Sequence, residues 1–259
     1  MRVAAVQPDL AFKEPAKNFR KISELIRTAV ERKKPDVIVL PEMWNVSFFP
    51  KDLEGCADVK GEETKRLLSD LSKKYMINIV GGSVAVQSDG KFYNTSYVFN
   101  RMGEVVHAYN KVHLFSPSQE HQIFKAGNQM GIFDIDGVKA GIAICYDLRF
   151  PEWIRKMALE GVQVLFIPAA WPHPRMRAWE TLLCARAIEN QFFVVGVNSV
   201  GTTDKLNFCG HSSIFGPSGE SLAAAREEEM VLWADLDLTS IPDIRREIAV
   251  YNDRRRELY

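Results

Sequence analysis

Several absences bound what this chain can be. No apolar run approaches the roughly 18 residues expected of a membrane-spanning helix, and the opening MRVAAVQPDL breaks at Gln7-Pro8-Asp9, too early for the core of a secretory leader. Cysteine is scarce: four in 259 residues, at 56, 145, 184 and 209, with neither C-x-x-C spacing nor the density of a disulfide-stapled domain. No charge surplus exists either, because 33 Lys+Arg balance 33 Asp+Glu, which leaves no electrostatic footprint for nucleic acid or an anionic membrane. The basic run Arg254-Arg255-Arg256 is flanked by Asp253 and Glu257 and reads as a solvated or subunit-contacting tail. H-E-x-x-H and a phosphate-binding glycine loop are both missing, so neither a metal nor another cofactor is expected. Asn45-Val46-Ser47 and Asn94-Thr95-Ser96 match the glycosylation pattern, but without a leader they carry no weight. These absences predict a soluble, cytoplasmic protein.

What remains is an alternation of helix and strand signals. Val3 to Val6 is a short apolar run, and Asn18 to Arg32 places Phe19, Ile22, Leu25, Ile26 and Ala29 at helical spacing. Val37 to Leu40 reads as a strand buried on both faces, Glu62 to Lys74 as a helix, and Ile77 to Gly82 as the next strand. Strands over Gly82 to Val86, Phe92 to Phe99 and Glu104 to Tyr109 are joined by turn-rich segments at Ser88-Asp89-Gly90 and Asn100 to Gly103. In the second half, strands at Gly131 to Ile135, Val138 to Cys145, Val164 to Ile167 and Phe192 to Asn198 alternate with helices at Pro151 to Glu160 and Arg175 to Gln191. Gly210 to Phe215 and Met230 to Leu236 are expected on either side of the Pro217-Ser218-Gly219 turn. No linker or repeat interrupts the pattern, so one α/β domain over residues 1–259 is predicted, with two β layers covered by helices.

Three positions stand out chemically. Cys145 lies where a strand of small and β-branched residues gives way to a helix opened by Pro151, a corner that exposes a side chain and leaves backbone N–H groups facing it. It is a candidate nucleophile, and a small buried core thiol is the alternative. Glu42 follows Val37 to Pro41 at the end of a buried strand, where open α/β sheets place ligands, although such a residue can equally be a solvated loop carboxylate. Lys111 is flanked by apolar residues, and its plain alternative is an ammonium reaching solvent along its stem. None of the five histidines has a spacing that marks it as a partner for the thiol.

Together, Leu40-Pro41-Glu42, Asn110 to Leu114 and Cys145 to Glu152 resemble, in order, the three signature segments of the nitrilase superfamily of carbon–nitrogen hydrolases. Further likenesses run nearly end to end, at Ala4 to Gln7, Gly127-Asn128, Arg186 to Gln191 and Gly210 to Gly219. The resemblance implies a four-layer α-β-β-α sandwich, a homodimer or higher homo-oligomer, and an amide hydrolase working through a cysteine thioester. It implies Cys145 as nucleophile, Glu42 as proton carrier, and Lys111 with the Tyr146 backbone N–H as oxyanion donors. Lys111 would also favour the thiolate. Glu120, in Ser118-Gln119-Glu120-His121, matches the family's second glutamate and would orient Lys111 and substrate.

The wording around Cys145, with Pro41 to Asn45 and Pro168 to Pro172, is most similar to the ω-amidase branch, which cleaves the terminal amide of 2-oxoglutaramate and 2-oxosuccinamate. That places Trp171 among the substrate contacts. Arg149 is a candidate for a substrate carboxylate, or a brace paired with Glu152 or Asp147. Phe48 stands where relatives often carry a tyrosine, so a hydroxyl is missing from that subsite. Amidases of deaminated glutathione, other aliphatic amidases or nitrilases, and an inactive scaffold of the same fold are the alternatives.

Overall fold

The computed structural model describes residues 1–48, 50–203 and 206–258. In chain order its elements are β1 (Arg2–Gln7), α1 (Pro15–Arg32), β2 (Val37–Val39), β3 (Asp58–Val59), α2 (Glu62–Tyr75), β4 (Asn78–Val80), β5 (Val84–Ser88), β6 (Lys91–Phe99), β7 (Val105–Asn110), α3 (Glu120–Ile123), β8 (Gly131–Ile135) and β9 (Val138–Ile142). There follow α4 (Pro151–Leu159), β10 (Val164–Pro168), α5 (Met176–Asn190), β11 (Phe193–Val197), β12 (Val200–Thr203), β13 (Leu206–Cys209), β14 (Ser213–Phe215), β15 (Ser221–Ala224), β16 (Met230–Asp235) and α6 (Ile241–Glu247).

Two sheets form the centre. One runs β16-β1-β2-β4-β6-β5-β3 with β7 added beside β6, and the other runs β15-β14-β11-β10-β9-β8. Because side chains alternate along a strand, the first sheet sorts its residues by parity. Val3, Ala5, Val37 and Val39 enter a core shared with Ile142, Val164 and Phe166 of the second sheet. Their neighbours Ala4, Val6, Ile38 and Leu40 pack instead with Phe19, Ile22 and Ile26 of α1 and Leu68 of α2. Burial of Phe19, Ile22 and Ile26 contributes roughly 1.5–3 kcal/mol each. On the far side, Ile154 and Met157 of α4 and Trp179, Leu183 and Ala187 of α5 join the core of the second sheet. The layers are helix, sheet, sheet, helix, as the motif resemblance implies.

Several boundaries differ from expectation for local reasons. Pro15 opens α1 three residues early, because a proline in the first turn gives up no helical hydrogen bond. The strand expected to reach Cys145 stops at Ile142, since Cys145 takes φ +47°, outside the pleat. The turns at Asp89-Gly90 and Asp136-Gly137 form with positive φ at both residues, the backbone a two-residue hairpin prefers.

The Pro217-Ser218-Gly219 turn joins β14 to the weakly patterned Ser221–Ala224, not to Met230. Strand β16 crosses to the other sheet and covers the open edge of β1, from Arg2↔Asp235 to Gln7↔Met230. The hairpin of β12 and β13 is likewise unanticipated, its polar residues hiding the strand period.

Candidate active site

The ends of β2, β7, β9 and β10 converge on one side of the sandwich, and the residues just beyond them build the site. Lys111 follows β7, its N–H held by the Asn94 carbonyl and its own carbonyl accepting from Gly127 N–H. A Cβ on Gly127 would collide with the Asn110 carbonyl, so only glycine permits that close crossing. The lysine side chain does not reach solvent. It is 1% exposed, and Nζ donates to Glu42 Oε1 at 2.8 Å and to Glu120 Oε2 and Oε1 at 2.9 and 3.1 Å. Burial opposes its charge, but Glu120 and Glu42 outweigh that penalty and hold the lysine pKa well above its ordinary value.

Each carboxylate is positioned by further donors. Glu42 Oε2 accepts from Ala170 N–H at 2.8 Å, while Asn94 Nδ2 donates to Glu42 Oε1 at 2.8 Å and to Glu120 Oε1 at 3.2 Å. Glu120, which opens the single turn α3, also accepts from Phe115 N–H at 2.6 Å. Glu42 is therefore no solvated loop residue: it is 1% exposed.

Cys145 begins a 3-10 segment, Cys145–Arg149, with Tyr146 in its first turn, where N–H groups lack partners within the helix. Burial, then Glu42, raises the pKa of the thiol, and Lys111 opposes them without prevailing. Lys111 pulls the thiol towards its thiolate without outweighing burial and Glu42, an arrangement in which attack calls for a base to take the proton.

Asp147 fixes this corner. Its Oδ2 accepts from Ile144 N–H and the Tyr109 hydroxyl, both at 2.8 Å, and its Oδ1 accepts from His113 N–H at 2.8 Å and lies 2.7 Å from His113 Nδ1. The bracing pair proposed for Arg149 with Asp147 or Glu152 does not form. Asp147 is already taken up, and the Arg149 guanidinium lies 4.8 Å from the centre of the Trp171 ring.

A narrow cavity of about 30 Å³ opens above these groups. Cys145, Lys111, Tyr146, Arg149, Phe48 and Trp171 all line it, together with Phe115, Ser118, Ala170, Pro172, Arg175 and Leu206. Glu42 and Glu120 sit behind its floor, reached through Lys111. Sequence reasoning missed Asn94, Ala170, Arg175 and the stapling role of Asp147. Asn94 had a visible signal in its glycosylation-like triplet, but the side chain is fully buried and serves two carboxylates. The arrangement brings a thiol, a carboxylate, a fixed cation and backbone donors to one wall, the set required to attack a carbonyl and stabilise its oxyanion.

Known proteins bear the same stamp. The carbon-nitrogen hydrolase family model matches residues 2–246. The 2-oxoglutaramate amidase of Bacillus subtilis (strain 168) is 41% identical, over 99% of this chain and 98% of that protein. An omega-amidase of Xenopus laevis is 36% identical, over 93% of this chain and 91% of its own length. Among solved structures, the carbon-nitrogen hydrolase of Helicobacter pylori G27 superposes with a TM-score of 0.92 at 25% identity, covering 100% of this chain and 96% of that one. With motif order, four-layer fold and near full-length identity in agreement, this chain belongs to the carbon–nitrogen hydrolase family and is an enzyme acting on amides.

Proposed function

We propose that the protein is an ω-amidase that releases ammonia from 2-oxoglutaramate and 2-oxosuccinamate through a thioester on Cys145. The observation that carries this reading is the placement of Cys145 and Lys111, with two guanidinium groups, around one cavity backed by Glu42 and Glu120. Glu42 takes the thiol proton as sulfur attacks the amide carbon, and the carbonyl oxygen gains negative charge against Lys111 Nζ and Tyr146 N–H. Collapse breaks the carbon–nitrogen bond, and the proton held by Glu42 leaves with the nitrogen as ammonia. Water then adds to the thioester, giving its proton to Glu42. The sulfur departs and is reprotonated, so one amide and one water yield one acid and one ammonia. Glu120 touches no reacting atom in this scheme; it positions Lys111.

The test is ammonia release from 2-oxoglutaramate, 2-oxosuccinamate, deaminated glutathione and pentanamide. The two 2-oxo acid amides should show the highest kcat/KM. A preference for deaminated glutathione or for the neutral amide would move the protein to another branch.

The same reading includes a homodimer in the cytoplasm. Leu159 of α4 and Ile188 of α5 are exposed on the outer helical layer, as an interface between like subunits requires, and sedimentation should give twice the chain mass. All four cysteines are unpaired, which suits a reducing compartment, and cell fractionation checks that location. No described helix is long and apolar enough to cross a membrane.

A further inference from the structure

Arg175 lines the cavity, and no described Asp or Glu lines it as well. Among the described residues, ion pairs engage Arg2, Arg27, Arg101, Arg186, Arg246 and Arg255, and neither Arg149 nor Arg175. Arg175 instead lies with its guanidinium 5.2 Å from the centre of the Phe115 ring, as Arg149 lies over Trp171. One indole organises both arginines, because Trp171 Nε1 donates to the Arg175 carbonyl at 2.8 Å while its face carries Arg149. An aromatic ring holds a guanidinium in place without neutralising it, which leaves the N–H fork available to a ligand.

Two further features give these arginines the task of meeting an acid. Behind the cavity floor the two carboxyl groups of Glu42 and Glu120 engage the single ammonium of Lys111, so the buried cluster has no spare cation to offer an acidic substrate. Arg175 also occupies the N-cap of the 15-residue helix α5, whose first turn contains no acidic residue. The helix dipole disfavours a cation at that end and favours an anion, so helix stability gives no reason for an arginine there.

We propose that Arg175 is the specificity-determining residue of this enzyme, gripping with Arg149 the 2-oxo acid head of the substrate while the amide end meets Cys145. The proposal rests on the ω-amidase reading and assigns its acid-recognition site. Two forks offer paired hydrogen bonds to the carboxylate and leave donors for the adjacent 2-oxo oxygen. Phe48, lacking a hydroxyl, lines the same cavity, so recognition of the acid falls to the arginines.

The experiment compares Arg175→Gln and Arg175→Lys with the parent enzyme on 2-oxoglutaramate and on pentanamide, a neutral amide of equal length. For Arg175→Gln the ratio of kcat/KM between the two should fall roughly 30-fold, mainly through KM, the scale of a lost charge-assisted pair. Arg175→Lys should recover part of it by keeping the charge. In a Cys145→Ala background, calorimetry should detect binding of 2-oxoglutarate when Arg175 is present and at least a tenfold weaker affinity when it is glutamine. An equal fall on both amides, or unchanged 2-oxoglutarate affinity, overturns the role of Arg175 and leaves the ω-amidase reading standing. A parent enzyme that prefers pentanamide overturns that reading and this proposal with it.

Discussion

Cys145→Ala should abolish ammonia release, lowering kcat by a factor on the order of 10⁴ or more, because no other described cysteine lines the cavity to form the thioester. The nearest polar neighbours, Glu42 and Lys111, are tied to each other and to Glu120 and Asn94. Folding should be nearly unaffected. Alanine is smaller than cysteine and meets the same φ of +47°, so both residues bear the same backbone strain. Urea denaturation should place the variant within about 1 kcal/mol of the parent, the cost of removing one small buried atom. Incubation of the parent with 2-oxoglutaramate and rapid acid quenching should show an acyl adduct by mass spectrometry, absent from the variant. Turnover by the variant at parental rates would sink the covalent mechanism.

Lys111→Met should damage both activity and fold. Methionine matches the length of the stem but strands Glu42 and Glu120 in a buried site, sharing only Asn94 and backbone donors. Breaking a buried ion pair from one side typically costs about 3–5 kcal/mol, so urea titration should reveal a loss of that order. Removing the cation from the developing oxyanion should lower kcat by roughly 10²–10³-fold or more. The pH dependence separates this cause from simple mispacking. Two carboxylates facing each other without a cation cannot both stay ionised at low cost, so the folded variant holds a proton that its unfolded chain releases. The folded state then binds more protons, and the variant should gain stability as pH is lowered from 8 towards 6. A flat profile would mean that the lysine acts through packing alone.

How much of this could be read from residues depends on which physical signal each element leaves. Glu42 and Cys145 were legible because each follows a buried strand at a point where the pattern breaks, and Lys111 because a cation sits between apolar residues. Their order carried the family resemblance. Asn94 lies within a strand where three polar residues, Asn94, Thr95 and Ser96, are buried in a row, and its triplet does not mark it as the donor shared by two glutamates. Arg175 reaches the cavity through the fold of the segment after β10, which no spacing encodes. Asp147 looked like a partner for the arginine two residues away, whereas its true partners, Tyr109 and His113, come from the end of β7 in the other sheet. The crossing of β16 was hidden for the same reason, since a strand pattern does not say which sheet receives it. Local chemistry was visible, and long-range pairing was not.

The Asp147 staple has a mechanical corollary. Glu42 and Lys111 leave the first sheet, Cys145 leaves the second, and Asp147 bolts the two together through the Tyr109 hydroxyl and the Ile144 N–H. Base and cation are therefore carried on one plate and the sulfur on another. A slip of one plate over the other by an ångström would preserve every strand and helix while costing about a hundredfold in rate. Turnover is then a finer gauge of alignment between the plates than any measure of secondary structure, and warming should silence the enzyme before it visibly unfolds.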